Sequence, residues 1–192
     1  RLINDTTGKH RPIVFSYAEL CYSRRMRCLS DARELVMKTF IEFGAPRTLL
    51  GLESNPYSIT KAKEEGYRTI AIDFKIRLFH NTPEYIKVVD KTYYNFWSDD
   101  MDIPLADKWI SYSSLEHCPK ERVLKEVEGI AKKVKGVGEV SIDLSDHNNR
   151  SNNLNYIQSE QWQDIMSNFF IYIFEEDLDN EMIYFRNCVS AL

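Results

Sequence analysis

The stretch DMDIPLADKWISYSSLEHCPKERVLKEVEGIAKKVKGVGEVSIDL, residues 100–144, decides the fold class. Within it, Asp107 to Ser114 (DKWISYSS) reads as a buried strand. Pro119 suits the first turn of a helix. After it, Val123, Leu124, Val127, Ile130, Ala131 and Val134 line one face, while Glu121–Lys125 and Glu128–Lys132 form i,i+4 pairs on the other. Gly136 and Gly138 are expected to break this helix, and Glu139 to Leu144 (EVSIDL) reads as the next strand. Strand, helix and strand in succession make the βαβ unit of a parallel sheet.

Downstream, Asp146 to Asn155 (DHNNRSNNLN) is a polar loop, because Asn and Asp satisfy their own backbone and resist helix and strand. Ser159 to Ser167 starts a helix, and Phe169–Phe174 with Met182–Arg186 reads as a closing antiparallel pair. Upstream, Ser30 can cap a helix whose apolar stripe is Ala32, Leu35, Val36, Phe40 and Phe43, stopped by Gly44 and Pro46. Thr48–Glu53 then reads as the first strand, Ile59–Glu65 as a short helix ended by Gly66, and Arg68–Phe74 (RTIAIDF) as the second strand. Residues 75–92 fit no single element, and Tyr93–Ser98 (YYNFWS) is strand-like. Strands alternating with helices before a terminal hairpin give an α/β three-layer sandwich. Residues 1–29 stand apart as an irregular extension, and 30–192 read as one domain.

Length and composition agree with this. A chain of 192 residues, 43% apolar and 28% charged, is ordinary for one globular domain with a real core. Its 29 acidic and 25 basic side chains leave a net charge of −4, the wrong balance for a nucleic-acid coat. Cys21, Cys28, Cys118 and Cys188 form no CxxC pair, and no His stands at zinc spacing from them, so they read as reduced thiols of a cytoplasmic protein. No apolar run approaches the ~18 residues of a membrane span, and no signal peptide is visible. Arg24, Arg25 and Arg27 read as a solvated basic face or as a contact for an anionic substrate group.

From about residue 30 to 188 the pattern resembles a class I S-adenosylmethionine (SAM)-dependent methyltransferase. In that family the third strand ends in an acid followed by a D-x-P-F/L turn, and the fourth begins after Asp and ends in S-x-L-E-H. The matching residues are Asp99, Asp102-Ile103-Pro104-Leu105, Asp107 and Ser113-Ser114-Leu115-Glu116-His117, then Gly136/Gly138 and Val140–Leu144. Asp143–His147 (DLSDH), the Asn-rich loop and Asn155–Trp162 (NYIQSEQW) are similar to a bacterial branch associated with glycan and surface-polysaccharide genes. The resemblance implies a mostly parallel seven-stranded sheet, SAM as cofactor, and a small-molecule or glycan acceptor methylated on oxygen or nitrogen.

Glu53, Asp73, Asp99 and Asp143 stand at or near expected strand ends, where open α/β sheets bind ligands. A carboxylate after the second strand can accept both ribose hydroxyls, which is the role implied for Asp73. Asp99 takes the place beside the adenine amino group, with Phe74, Asp100 and Ser113 as further cofactor contacts. The family's first loop is rich in glycine. Here the matching segment is Gly51-Leu52-Glu53-Ser54-Asn55-Pro56-Tyr57-Ser58, with one glycine and a proline that removes a backbone donor. Gly51, Glu53, Ser54 and Asn55 are its cofactor candidates. A second register stays open, with Ile13–Tyr17 as first strand, Leu49–Glu53 as second and Glu53 as the ribose acid.

Methyl transfer needs a positioned nucleophile and, for a hydroxyl or protonated amine, a general base. His117 and His147 are the candidates, since imidazole titrates near working pH, and Asp143 or Asp146 can orient either. Both histidines read equally as structural or loop residues, and Glu116 as a substrate contact or a cap. Three rival classes remain. A binding or scaffold protein on the same fold would explain the eroded loop. A sugar-nucleotide transferase would read Asp100-Met101-Asp102 as a metal-binding D-x-D. A nucleic-acid adenine methyltransferase would read Ser54-Asn55-Pro56-Tyr57 as a degenerate N-P-P-Y. The resemblance itself calls for no metal, and nothing in the sequence fixes the oligomeric state.

Overall fold

The computed structural model of the chain describes residues 2–4, 10–12, 37–44, 58–76, 78–145 and 155–192. The chain divides into two compact units, Arg1–Met37 and Lys38–Leu192. In the first, β1 (Leu2–Asn4) pairs antiparallel with β2 (His10–Pro12).

The second unit is a three-layer α/β sandwich. Its strands are β3 (Thr39–Phe43), β4 (Arg68–Ile72), β5 (Lys91–Tyr93), β6 (Ala106–Tyr112), β7 (Val134–Asp143), β8 (Phe170–Asp177) and β9 (Met182–Ser190). Its α-helices are α1 (Ile59–Glu64), α2 (Pro83–Val88), α3 (Val123–Ala131) and α4 (Ser159–Ser167). The sheet runs β5-β4-β3-β6-β7-β9-β8, parallel except for β9, which pairs antiparallel with both β7 and β8. Alternation along each strand divides the core in two. Phe40, Ala71, Ile110 and Tyr112 pack with Ile59 and Ala62 of α1 and Tyr85 of α2. Ile41, Phe43, Ile70, Ile72, Trp109, Val140, Ile142 and Phe185 pack with Val127 and Ile130 of α3 and with Trp162 and Met166 of α4. The helices start on ordinary signals: the Ser58 side chain accepts the Lys61 N–H at 3.1 Å, and Thr82 caps α2 with Pro83 in its first turn.

The first strand differs from expectation. Thr39–Phe43 is a fully buried strand, not the end of a helix, and it holds the central place expected for Thr48–Glu53. A strand covered on both faces carries apolar residues of both parities, so alternation vanishes. The Phe40/Phe43 spacing then imitates a helical stripe. Arg68–Ile72 lies directly between Thr39–Phe43 and Lys91–Tyr93, which makes it the second strand and overturns the alternative register. Residues 13–17, 30–36 and 45–57 lie outside the described residues.

Two further expectations need correction. Tyr93–Ser98 is not a strand: β5 ends at Tyr93, and a turn follows in which Asp99 Oδ2 accepts the Phe96 N–H at 3.0 Å. Gly136 and Gly138 do not break a helix but lie inside β7, which also includes Val134. A Cβ on Gly136 would lie 1.7 Å from the Asp107 carbonyl, and one on Gly138 would lie 2.2 Å from the Trp109 ring. Glycine lets β7 close on β6 there. Among the described residues, no helix is long and apolar enough to cross a membrane.

Candidate functional site

The strand order reverses between β3 and β6, since the chain builds outward through β4 and β5 and then returns to the other side of β3. In such sheets the crevice beyond the carboxyl ends of those strands is the ligand site. Gly44 leaves β3 there with φ +114°, and its N–H donates to the Ile72 carbonyl at 2.8 Å. A Cβ on Gly44 would lie 2.0 Å from Ser114 Oγ, so the exits of β3 and β6 run against each other at a point only glycine allows. Ser113, at φ 41°, holds the β6 exit by donating its N–H to the Ser141 carbonyl at 2.9 Å.

One strand outward, Asp73 follows β4. Its N–H donates to the Tyr93 carbonyl at 3.0 Å, and its Oδ1 accepts the Lys75 N–H at 3.0 Å. Its Oδ2 lies 3.5 Å from His80 Nε2, with both side chains sealed from solvent. His80 comes from a 3₁₀ turn, Leu78–Asn81, and its ring packs against Tyr85 and Tyr94. The Tyr85 hydroxyl shares a 2.7 Å hydrogen bond with Thr92 Oγ1. Burial pushes its pKa up to about 12, with Tyr94, Glu42 and Asp73 adding to the rise against the lowering effect of Thr92. Glu42, a buried carboxylate on β3, thus belongs to the same electrostatic neighbourhood.

A second group gathers beyond β6 and β7. The turn Leu115–His117 follows β6 and presents Glu116, which is 3% exposed. Asp143 ends β7, and its Oδ1 accepts the Ser145 N–H at 3.0 Å and hydroxyl at 2.6 Å. Asn155 pins the segment before α4 to this turn: its Nδ2 donates to the Leu115 and Cys118 carbonyls, and its N–H to that of Glu116. Glu116, Asp143, Ser145 and Trp162 line a small cavity of about 60 Å³.

The sequence-expected residues therefore separate. Asp73 and Ser113 lie at the carboxyl ends of the strands, as does Asp143. Phe74 stacks on Phe96, with ring centroids 5.5 Å apart, and packs edge-on against Trp97. Asp99 and Asp100 go elsewhere. They line a cleft with Leu105, Lys132 and Lys133, which precede β6 and β7, so they sit toward the amino ends of the strands. The Asp99 carboxylate closes its own turn, and its carbonyl accepts Lys133 Nζ at 2.9 Å. His117 is half-buried in the turn after β6 and is not among the residues lining the Glu116–Asp143 cavity. Gly51, Glu53, Ser54, Asn55 and His147 lie outside the described residues. Among the described residues no group of three or more His, Cys, Asp or Glu is arranged to hold a metal ion.

Sequence reasoning missed Glu42, Gly44, His80 and Trp162. The first two carried a legible signal, an acid and a glycine closing the strand-forming run Thr39-Phe40-Ile41. His80 and Trp162 carried none.

The residues present fit a nucleoside-bearing cofactor. At the switch point Gly44 lets the β3 exit pack directly against Ser114, and Asp73 offers a buried carboxylate one strand away. The sheet order and terminal hairpin are those of the class I SAM-dependent methyltransferase fold, and the solved structures most similar to the chain share it. The N-methyltransferase NodS from Bradyrhizobium japonicum aligns with TM-score 0.55 at 10% identity, over 91% of this chain and 99% of that one. The magnesium protoporphyrin IX methyltransferase ChlM from Synechocystis, solved with bound SAM, aligns with TM-score 0.55 at 11% identity, over 94% and 87%. An O-methyltransferase family protein from Burkholderia thailandensis aligns with TM-score 0.56 at 9% identity, over 82% and 53%. No protein-family model and no curated protein sequence matches the chain.

Proposed function

We propose that the protein is a SAM-dependent methyltransferase acting on a small polar or carbohydrate-like acceptor, at oxygen or nitrogen. The observation that carries this reading is the pairing, at one switch point, of a side-chain-free turn at Gly44 with the buried Asp73 carboxylate at the neighbouring strand end. When bound, the cofactor supplies an electrophilic methyl group on a sulfonium centre. Asp73 would accept the two ribose hydroxyls, and its bond from the Lys75 N–H fixes the carboxylate's rotation for that task. Gly44 would let the β3 exit close on Ser114 beside the cofactor. Beyond β6 and β7, Glu116 and Asp143 would hold the acceptor's polar groups, and His117 or His147 would take the proton that a hydroxyl or ammonium nucleophile gives up.

Calorimetric titration with S-adenosylhomocysteine tests this reading, with Asp73→Ala alongside. Micromolar binding, weakened at least ~30-fold in the variant, is expected for a lost charge-assisted pair of hydrogen bonds. Absence of binding by the folded wild-type chain would overturn the enzymatic reading and leave a binding protein on the same fold.

A further inference from the structure

We infer that β8 is a self-pairing edge, along which two copies of the chain join antiparallel about a two-fold axis at Tyr172. The inference does not depend on the methyltransferase reading.

β8 (Phe170–Asp177) is the last strand of the sheet, with β9 on one side and no strand on the other. An edge strand presents a row of backbone N–H and C=O groups that a further strand can take up. Proteins that keep such an edge free shorten it, twist it away with a bulge, or place Lys or Pro on it. β8 has eight residues and neither Lys nor Pro. The irregularity of the hairpin falls on its neighbour instead. Between the pairs Ile171↔Val189 and Ile173↔Arg186, β9 accommodates one residue more than β8, with Asn187 at φ 54°.

The side chains match an edge that is paired. Phe170 packs in the core with Trp109 and Phe185, whereas Ile171 and Ile173 point to the other face and are 71% and 59% exposed. The α1–α2 layer on that face takes its buried strand residues from β3, β4 and β6 and leaves β8 bare. Val189, paired with Ile171 and 40% exposed, carries the apolar band onto β9.

The charge pattern along β8 selects the occupant and its register. Phe170–Phe174 is wholly apolar, and Glu175, Glu176 and Asp177 follow. A neighbouring strand must therefore offer an apolar run and no acid opposite those three. A second β8 meets both demands when the axis passes through Tyr172. Ile171 then faces Ile173 of the other copy, and Phe170 faces Phe174. The acids run past the apolar segment to lie opposite Phe169, Asn168 and Ser167, none of them charged. Moving the axis toward the acids sets them first against the apolar run and then against each other, and an in-register parallel pairing places each beside its own copy. Glu175, the acid nearest the axis, is already compensated by Arg186 Nε at 2.6 Å.

Sedimentation velocity of the full chain tests this. A monomer–dimer equilibrium is expected, half-assembled between about 1 and 100 µM, as for an interface below standard size. Ile173→Lys, at an exposed position, is expected to raise that midpoint at least ~10-fold. Mild oxidation tests the register. Ile171→Cys/Ile173→Cys is expected to cross-link into a dimer, because facing residues of antiparallel strands lie about 4.5–5.5 Å apart at Cα, within disulfide reach. Ile171→Cys alone meets an isoleucine and is expected to stay uncross-linked, with the wild-type chain as control for its four native cysteines. A monomer at every concentration would overturn the proposal and leave the edge to a different protein's strand. A dimer that Ile173→Lys does not weaken would place the interface elsewhere. Cross-linking of the single variant as fast as the double one would overturn the Tyr172 axis.

Discussion

His80 Nε2 stands 3.5 Å from Asp73 Oδ2, and neither side chain reaches solvent. Two ionisable groups placed this way fix each other. The imidazole limits how the carboxylate turns, while Tyr85 and Tyr94 limit how the imidazole turns. His80 is therefore a positioning residue for the proposed ribose contact. His80→Ala is expected to weaken S-adenosylhomocysteine binding about 5–20-fold, the scale of one or two kcal/mol for a disturbed hydrogen-bonded charge. A merely structural role would lower the melting temperature and leave the dissociation constant of the folded fraction unchanged.

Gly44 makes a sharper prediction. Two independent penalties meet there: φ +114°, which L side chains rarely adopt, and a Cβ that would lie 2.0 Å from Ser114 Oγ and 2.6 Å from its Cβ. Gly44→Ala should cost about 2–4 kcal/mol in urea unfolding. Adding Ser114→Gly removes only the second penalty, so the double variant should recover part of the loss. Full recovery would show that backbone strain contributes nothing.

This position also shows how much of the fold was legible. Helix α4 was read with its bounds correct and β6 and the second strand nearly so, because each carries a clean pattern between turn residues, while the terminal hairpin was placed with its strands ending at Phe174 and Arg186 instead of Asp177 and Ser190. The first strand was not, since a five-residue segment buried on both faces has no alternation to show. Asp73 could be placed from its strand. Asp99 could not, because a carboxylate that closes its own turn and one that faces a ligand look alike in sequence.

Gly129, inside α3, sets two effects against each other. Helix propensity alone favours Gly129→Ala by about 1 kcal/mol. The added Cβ, however, would lie 2.5 Å from Ser98 Cα and 2.6 Å from its backbone nitrogen. Backbone cannot swing aside as a side-chain tip does, and Ser98 is held to Glu126 by hydrogen bonds of 2.8 Å from both its N–H and its hydroxyl. Overpacking should win, with a net loss of about 1–3 kcal/mol by denaturant midpoint. A stabilised variant would mean that the turn after β5 yields readily.

The last prediction concerns charge at the β7–β9 pairing. Glu139 is almost fully buried on β7, and Arg186 of β9 donates from its Nη1 to Glu139 Oε1 at 2.9 Å and from its Nε to Glu175 at 2.6 Å. Burial pushes the Glu139 carboxyl above its ordinary value, and Arg186 draws it partly back. An acid with a raised folded pKa binds its proton more tightly in the folded state. Its ionisation therefore costs stability as pH rises from the unfolded value, near 4.5, through the folded one. Removing Arg186 deepens that cost, because the carboxylate stays buried and loses its counter-charge. Arg186 is itself partly exposed, so solvent screens the pair, and Arg186→Ala should lose about 2 kcal/mol at neutral pH rather than the larger sum typical of a sealed pair. The deficit should shrink as pH falls toward 4.5, where Glu139 takes up its proton in the variant. Urea midpoints for wild type and variant between pH 8 and 4.5 measure this directly. A deficit that stays constant across that range would show that Arg186 acts through the packing of its alkyl chain and its Glu175 contact rather than through the charge of Glu139.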